Sequence, residues 1–137
     1  MKRKATAVWH GSGMEGSGLI TTQSNVLNNT QLSFKSRFEN GIGTNPEELL
    51  AASHAGCFTM KLAFVLNEAG YTAEKLETTA IVSLENGSIT SSHLEVNAII
   101  SNIPNQVFED SVKDAKENCP ISKVINASIS VTSNLAN

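Results

Sequence analysis

Apolar and polar residues alternate near both ends of the chain, whereas a dense helical pattern fills its middle and a sparser one returns near residue 110. Lys4 to His10, Gly18 to Ser24 and Gln31 to Arg37 read as short antiparallel strands, joined through the Gly-, Ser- and Asn-rich stretches Gly11 to Gly18 and Asn25 to Thr30. In the third, Leu32, Phe34, Ser36 and Phe38 face one way and Ser33, Lys35, Arg37 and Glu39 the other, which puts Arg37 on a polar strand face. Asn45 followed by Pro46 opens a long helix: Asn caps free amides, Pro suits the first helical position, and Glu47 and Glu48 suit the positive end. Gly70 closes it. From Leu49 to Leu66 apolar residues wrap nearly all round, interrupted only by Ser53, His54, Thr59 and Lys61, so the helix is expected to be buried on all sides. Ala52 and Gly56 share one face and would let a second backbone approach closely, such as a symmetry mate's.

Strand alternation resumes in Leu76 to Leu84 and Ile89 to Ser101, with Asn86-Gly87 marking a tight hairpin between them. Asn105 to Asn118 predicts a second amphipathic helix with Val107, Phe108, Val112 and Ala115 as its stripe. Cys119-Pro120-Ile121-Ser122 starts another helical turn, and Ala127 to Thr132 is a last strand. Three strands, a helix, two strands, a helix and a strand make an α+β chain. The expected organisation is one domain over 1–137: strands to about 40, a central helix at about 45–69 and a β-α-β part at about 76–134.

Length and composition agree with one domain, since 137 residues at 40% hydrophobic content are enough to build a core. A formal charge of -3 and ten scattered Lys and Arg residues leave no basic stripe, so nucleic acid is not expected as a partner. Met1 to His10 opens basic but has no apolar run behind it, and no stretch reads as long and apolar enough to cross a membrane. The expectation is therefore no membrane and a reducing, cytoplasmic compartment, where cysteines are more often catalytic, redox-sensing or metal-binding than stapled.

The chain has two cysteines, Cys57 in the long helix and Cys119 ahead of Pro120. A thiolate is the nucleophile of cysteine chemistry, so a useful thiol needs a neighbour that lowers its pKa and a path for substrate. His54 and Lys61, three residues before and four after Cys57, are the local candidates, and Arg37 is the long-range one. Each has a plainer role: His54 as a satisfied packing residue, Lys61 as a snorkelling side chain, Arg37 as a solvated strand residue. Had Cys57 attacked a peroxide it would become a sulfenic acid, which a second thiol condenses to a disulfide. Cys57 and Cys119 then divide the work as attacker and resolver. Two other classes stay open, a non-catalytic redox-sensing module and, more remotely, a metal site from His54 and Cys57 with His93 or Cys119.

The runs Gly43-Thr44-Asn45-Pro46-Glu47-Glu48-Leu49, His54-Ala55-Gly56-Cys57-Phe58, Ser36-Arg37-Phe38-Glu39 and Asn118-Cys119-Pro120-Ile121-Ser122, with Ala7-Val8-Trp9, closely resemble the OsmC branch of the OsmC/Ohr family over nearly the whole chain. The resemblance implies a thiol-dependent peroxidase reducing organic hydroperoxides, built as an intertwined α+β homodimer. It makes Cys57 the peroxidatic cysteine, Cys119 the resolving cysteine, and Arg37 with Glu47 the polar pair at the site. It implies no bound cofactor and an external dithiol reductant of the lipoyl type. The Ohr branch takes its arginine from a glycine-rich stretch near the first hairpin, and Gly11 to Gly18 holds none, which favours OsmC.

Glu47 and Cys57 are ten residues apart on one helix, about 15 Å along its axis at 1.5 Å per residue. If Glu47 serves Cys57, it comes from a second subunit. In that reading Arg37 stabilises the thiolate and Glu47 orients the guanidinium, while Phe34, Phe38, Phe58 and Met60 supply apolar walls. Glu48 is the alternative to Glu47, with a capping role at Asn45 as its other reading.

Overall fold

The computed structural model describes residues 1–136, in two compact units, Met1–Leu49 and the chain from Leu50 onward. The first unit holds a three-stranded antiparallel sheet, β1 (Ala5–His10), β2 (Ser17–Thr22) and β3 (Thr30–Leu32), in that order. Trp9 lies opposite Gly18 across β1 and β2. A Cβ on Gly18 would come within 2.6 Å of the indole, so the ring uses the space the missing side chain leaves.

The expected strand from Gln31 to Arg37 stops at Leu32, and Phe34–Phe38 is a short helix, α1. Ser33 caps it: its hydroxyl accepts from the Ser36 amide at 3.1 Å, while the Ser36 hydroxyl accepts from the Ser33 amide at 2.9 Å. Phe34 and Phe38, four apart, stack with ring centroids 4.9 Å apart. A spacing of four satisfies both an alternating strand and a helical face, so those two residues do not distinguish the periods. The capping pair does, and it places Arg37 on a helix rather than a strand face.

Helix α2 (Pro46–Glu68) starts where Asn45 and Pro46 predict, with the Asn45 side-chain oxygen accepting from the Glu48 amide at 2.8 Å. It ends in a Schellman arrangement, with Tyr71 N–H bonded to Leu66 C=O, Gly70 N–H bonded to Asn67 C=O, and Gly70 at φ 93°. By length and composition α2 is long and apolar enough to cross a membrane, which corrects the expectation that no segment was. One face, with Phe58, Leu62 and Leu66, lies in the core of the second unit. The opposite face, Ala52, Gly56, Met60 and Phe64, is exposed, with Met60 at 64% and Phe64 at 61%. The expected burial on all sides is therefore not found in the single chain.

In the second unit β4 (Lys75–Glu85) and β5 (Ser88–Ile99) form a hairpin turned by Asn86 and Gly87, both at positive φ (51° and 78°) as a type I′ turn requires. α3 (Asn105–Asn118) and α4 (Pro120–Val124) follow, and β6 (Ser128–Ala136) returns beside β5 in parallel. The α+β reading holds, with one of its two sheets antiparallel and the other mixed. The parallel pairing follows from the connection: a helical crossover brings the chain back to the end of the sheet where β5 began. The core joins α2, the buried row Leu94, Val96 and Ala98 of β5, and Phe108, Val112 and Ala115 of α3. Each fully buried Leu or Phe contributes about 1.5–3 kcal/mol relative to exposure.

Candidate active site

The structure brings the four expected site residues together as two pairs, one in each unit. In the first unit Arg37, on α1, meets Glu47, the second residue of α2. Arg37 Nε donates to Glu47 Oε1 at 3.1 Å and a terminal guanidinium nitrogen donates to the same oxygen at 2.9 Å. The guanidinium also lies 5.1 Å from the centroid of the Phe38 ring. The Arg37 side chain is 41% exposed and that of Glu47 only 11%, so the carboxylate is the fixed member and the guanidinium keeps an open edge.

Local backbone bonds explain why Glu47 is well held. The Ser36 hydroxyl donates to Thr44 C=O at 2.8 Å, and the Asn45 amide donates to Ser36 C=O at 3.0 Å, stitching the end of α1 to the start of α2. Glu48 accepts from the Thr44 hydroxyl at 2.7 Å, while its own backbone amide donates to the Asn45 side-chain oxygen. The two neighbouring carboxylates thus separate by role: Glu48 orders the loop and Glu47 holds the arginine.

In the second unit the thiols of Cys57 and Cys119 are neighbours, and both are free. Cys119 is fully buried and Cys57 partly so, against the same core cluster. Burial pushes the Cys57 thiol up, the Cys119 side chain pushes it further the same way, and a backbone hydrogen bond from Ile121 pulls it down. Ile121 stands at the opening of α4, where the first amides have no helical partner. The thiol pKa is raised overall, and among the described residues of this unit no cation offsets its burial.

His54 does not supply one. Its ring is fully buried, with Nδ1 2.7 Å from the Ser92 hydroxyl and Nε2 2.8 Å from the Ser122 hydroxyl. Burial lowers its pKa, which keeps the ring neutral. Ser92 and Ser122 escaped sequence reasoning; a buried histidine's need for two partners was the available signal, but nothing local names which residues meet it. Phe58 also departs from expectation: it is completely buried in the core and lines no accessible wall, while Met60 stands on the open face of α2. Among the described residues no three His, Cys, Asp or Glu side chains gather as metal ligands. His93 instead meets the hydroxyls of Ser130 at 2.6 Å and Thr132 at 3.1 Å.

Comparison with known proteins supplies independent information. A family model for OsmC-like protein matches residues 38–134. Peroxiredoxin OsmC of Escherichia coli strain K12 is 40% identical over 133 residues, covering 94% of this chain and 93% of that protein. Organic hydroperoxide resistance protein-like 1 of Staphylococcus saprophyticus is 34% identical over 98 residues, covering 69% and 70%. Among solved structures, an OsmC-like protein of Mycoplasma pneumoniae superposes with a TM-score of 0.77 at 15% identity, covering 100% of this chain and 99% of that one, a likeness of fold. An organic hydroperoxide resistance protein OsmC of Legionella pneumophila gives a TM-score of 0.65 at 26% identity, with 98% and 97% covered. With a family model matched over most of its length and a relative this similar from end to end, the chain belongs to the OsmC-like protein family.

Proposed function

We propose that this protein is a thiol-dependent peroxidase that reduces organic hydroperoxides to alcohols. The observation that carries the reading is the adjacency of the Cys57 and Cys119 thiols, 62 residues apart in sequence, against one core cluster, with Cys57 the more accessible of the two. The names of the relatives, a peroxiredoxin and organic hydroperoxide resistance proteins, support the substrate class. In the first step the Cys57 thiolate attacks the terminal peroxide oxygen. The S–O bond forms, the O–O bond breaks, and the alkoxide leaves and takes a proton as the alcohol. The Cys119 sulfur then attacks the Cys57 sulfenic sulfur, the S–O bond breaks, water leaves and a disulfide remains. An external dithiol of the lipoyl type reduces that disulfide and is itself oxidised.

The working form in this reading is a homodimer. The open apolar face of α2 is one surface for a second copy, and no Cβ added at Gly56 would meet anything within 4 Å. The first unit supplies the other argument, since none of its large apolar side chains is buried and a small sheet needs a covered face. Arg37 of one copy serves Cys57 of the other, with Glu47 fixing the guanidinium. This provides the cation that burial of the thiol calls for.

The test is steady-state reduction of tert-butyl and cumene hydroperoxide by wild type, Cys57→Ser and Cys119→Ser with a dithiol supplied. Cys57→Ser is expected to be inactive, and Cys119→Ser to accumulate a sulfenic acid that dimedone traps. Wild-type activity in Cys57→Ser ends the proposal.

A further inference from the structure

Helices α2 and α4 are joined by two rungs in register. Cys57 of α2 meets Cys119 at the head of α4, and His54, three residues earlier on α2, meets Ser122, three residues later on the α4 side. The position numbers of each pair add to the same value, as they must where two segments run antiparallel past one another. The histidine rung continues to a third element, because the other ring nitrogen meets Ser92 on β5. Helix α4 is short: it is five residues long, Ser122 is its one buried residue, Ile121 packs partly buried against the core with its amide toward Cys57, and Val124 is 73% exposed.

From this we infer that His54, acting through Ser122, is a positioning device that holds Cys119 against Cys57 for disulfide formation. The inference rests on the peroxidase reading and deepens it by assigning a residue to the resolving step. His54 touches neither peroxide nor sulfur in this role, since both ring nitrogens are occupied by hydroxyls. A neutral imidazole donates from one nitrogen and accepts at the other, and two serine hydroxyls satisfy either tautomer, so the bridge is complete whichever nitrogen carries the proton. Three apolar side chains of similar volume would pack these elements without desolvating polar groups. Directional bonds add what apolar packing lacks, a fixed distance and register between α2 and α4. Register matters most for a buried thiol on a five-residue helix, because attack on the sulfenic sulfur requires the second sulfur in line and in contact. The cost of losing such alignment appears as effective concentration.

Ser122→Ala removes the rung and leaves the cysteines, His54 and Ser92 in place; Ser122→Thr keeps the hydroxyl. Two measurements follow. In single-turnover experiments with cumene hydroperoxide, Ser122→Ala is expected to form the Cys57 sulfenic acid within about threefold of the wild-type rate. Its conversion to the Cys57–Cys119 disulfide slows at least tenfold, as effective-concentration losses of this kind allow. Ser122→Thr restores conversion to within about threefold. Separately, equilibration against glutathione requires no peroxide chemistry: the disulfide of Ser122→Ala is expected to be about tenfold easier to reduce than that of wild type. Ser92→Ala removes a bond from the same imidazole and serves as the control for stability, with a comparable fall in melting temperature but a smaller effect on disulfide equilibrium. Wild-type conversion and an unchanged glutathione equilibrium in Ser122→Ala overturn the inference, as do equal effects of Ser92→Ala and Ser122→Ala on the disulfide. Absence of peroxide reduction by wild type overturns the peroxidase reading, and the glutathione equilibrium still decides the role of the rung.

Discussion

Cys57 is held between opposed influences: burial and a second thiol favour its protonated form, and the Ile121 amide favours the thiolate. Arg37 of a second copy is proposed to decide the contest. Arg37→Lys is expected to lower the second-order rate with cumene hydroperoxide by roughly tenfold to hundredfold, the equivalent of the about 1.5–3 kcal/mol of a hydrogen bond to a charged group. The same variant should carry a thiol that titrates higher, read from the pH dependence of iodoacetamide alkylation. Rates unchanged in Arg37→Lys would remove the arginine from the site. His54 yields a prediction about stability. Its folded pKa lies below the ordinary 6.5, so the unfolded state takes up the proton first as pH falls. The stability this group contributes is complete above about 6.5 and is lost as pH falls toward the folded value, at up to about 1.4 kcal/mol per pH unit. Urea denaturation between pH 7.5 and 5 should show this loss in wild type, and the His54→Gln curve should be flatter over that range.

At the scale of elements, the short helix α1 shows where sequence and structure part. Its residues alternate well enough to pass for a strand, yet Ser33 and Ser36 cap one another, and Ser36 also donates to Thr44 C=O. Ser36→Ala deletes a buried hydroxyl with several partners and should cost about 1–3 kcal/mol of unfolding free energy by chemical denaturation. Because α1 carries Arg37, that variant should also loosen the ion pair and raise the salt sensitivity of peroxidase turnover. A Ser36→Ala protein as stable as wild type would show that the cap is incidental. The long strands β4 and β5 and helix α3 were read more easily because their periods extend over many residues: Asn105–Asn118 matches its predicted bounds, and the Asn86-Gly87 turn sits where a positive φ is required. The parallel return of β6 was not legible, since it depends on the path of α3 and α4 rather than on any residue within the strand.

For the whole molecule, the exposed row Ala52, Gly56, Met60 and Phe64 makes the oligomeric state testable. The helix is apolar on two opposite faces, and its own chain buries one of them. The protein is expected to sediment as a dimer, and Met60→Glu combined with Phe64→Glu, which desolvates charge in an apolar contact, to shift it to monomer. Loss of peroxidase turnover should accompany that shift, because the proposed Arg37 arrives from the other copy. A monomeric double variant with full activity would refute the shared site.

The sequence alone determined the α+β composition, the ends of α2 and α3, the hairpin turn and the two cysteines as the reactive candidates. Each depends on properties read over a few neighbouring residues: caps, periods, turn dipeptides and the chemistry of a side chain. Only the tertiary structure decided that Cys57 and Cys119 are neighbours, that Glu47 rather than Glu48 holds Arg37, and that His54 is spent on Ser92 and Ser122. Those choices join residues ten to 68 positions apart. Several candidates satisfy the same chemistry at that range, and the packing of elements selects among them.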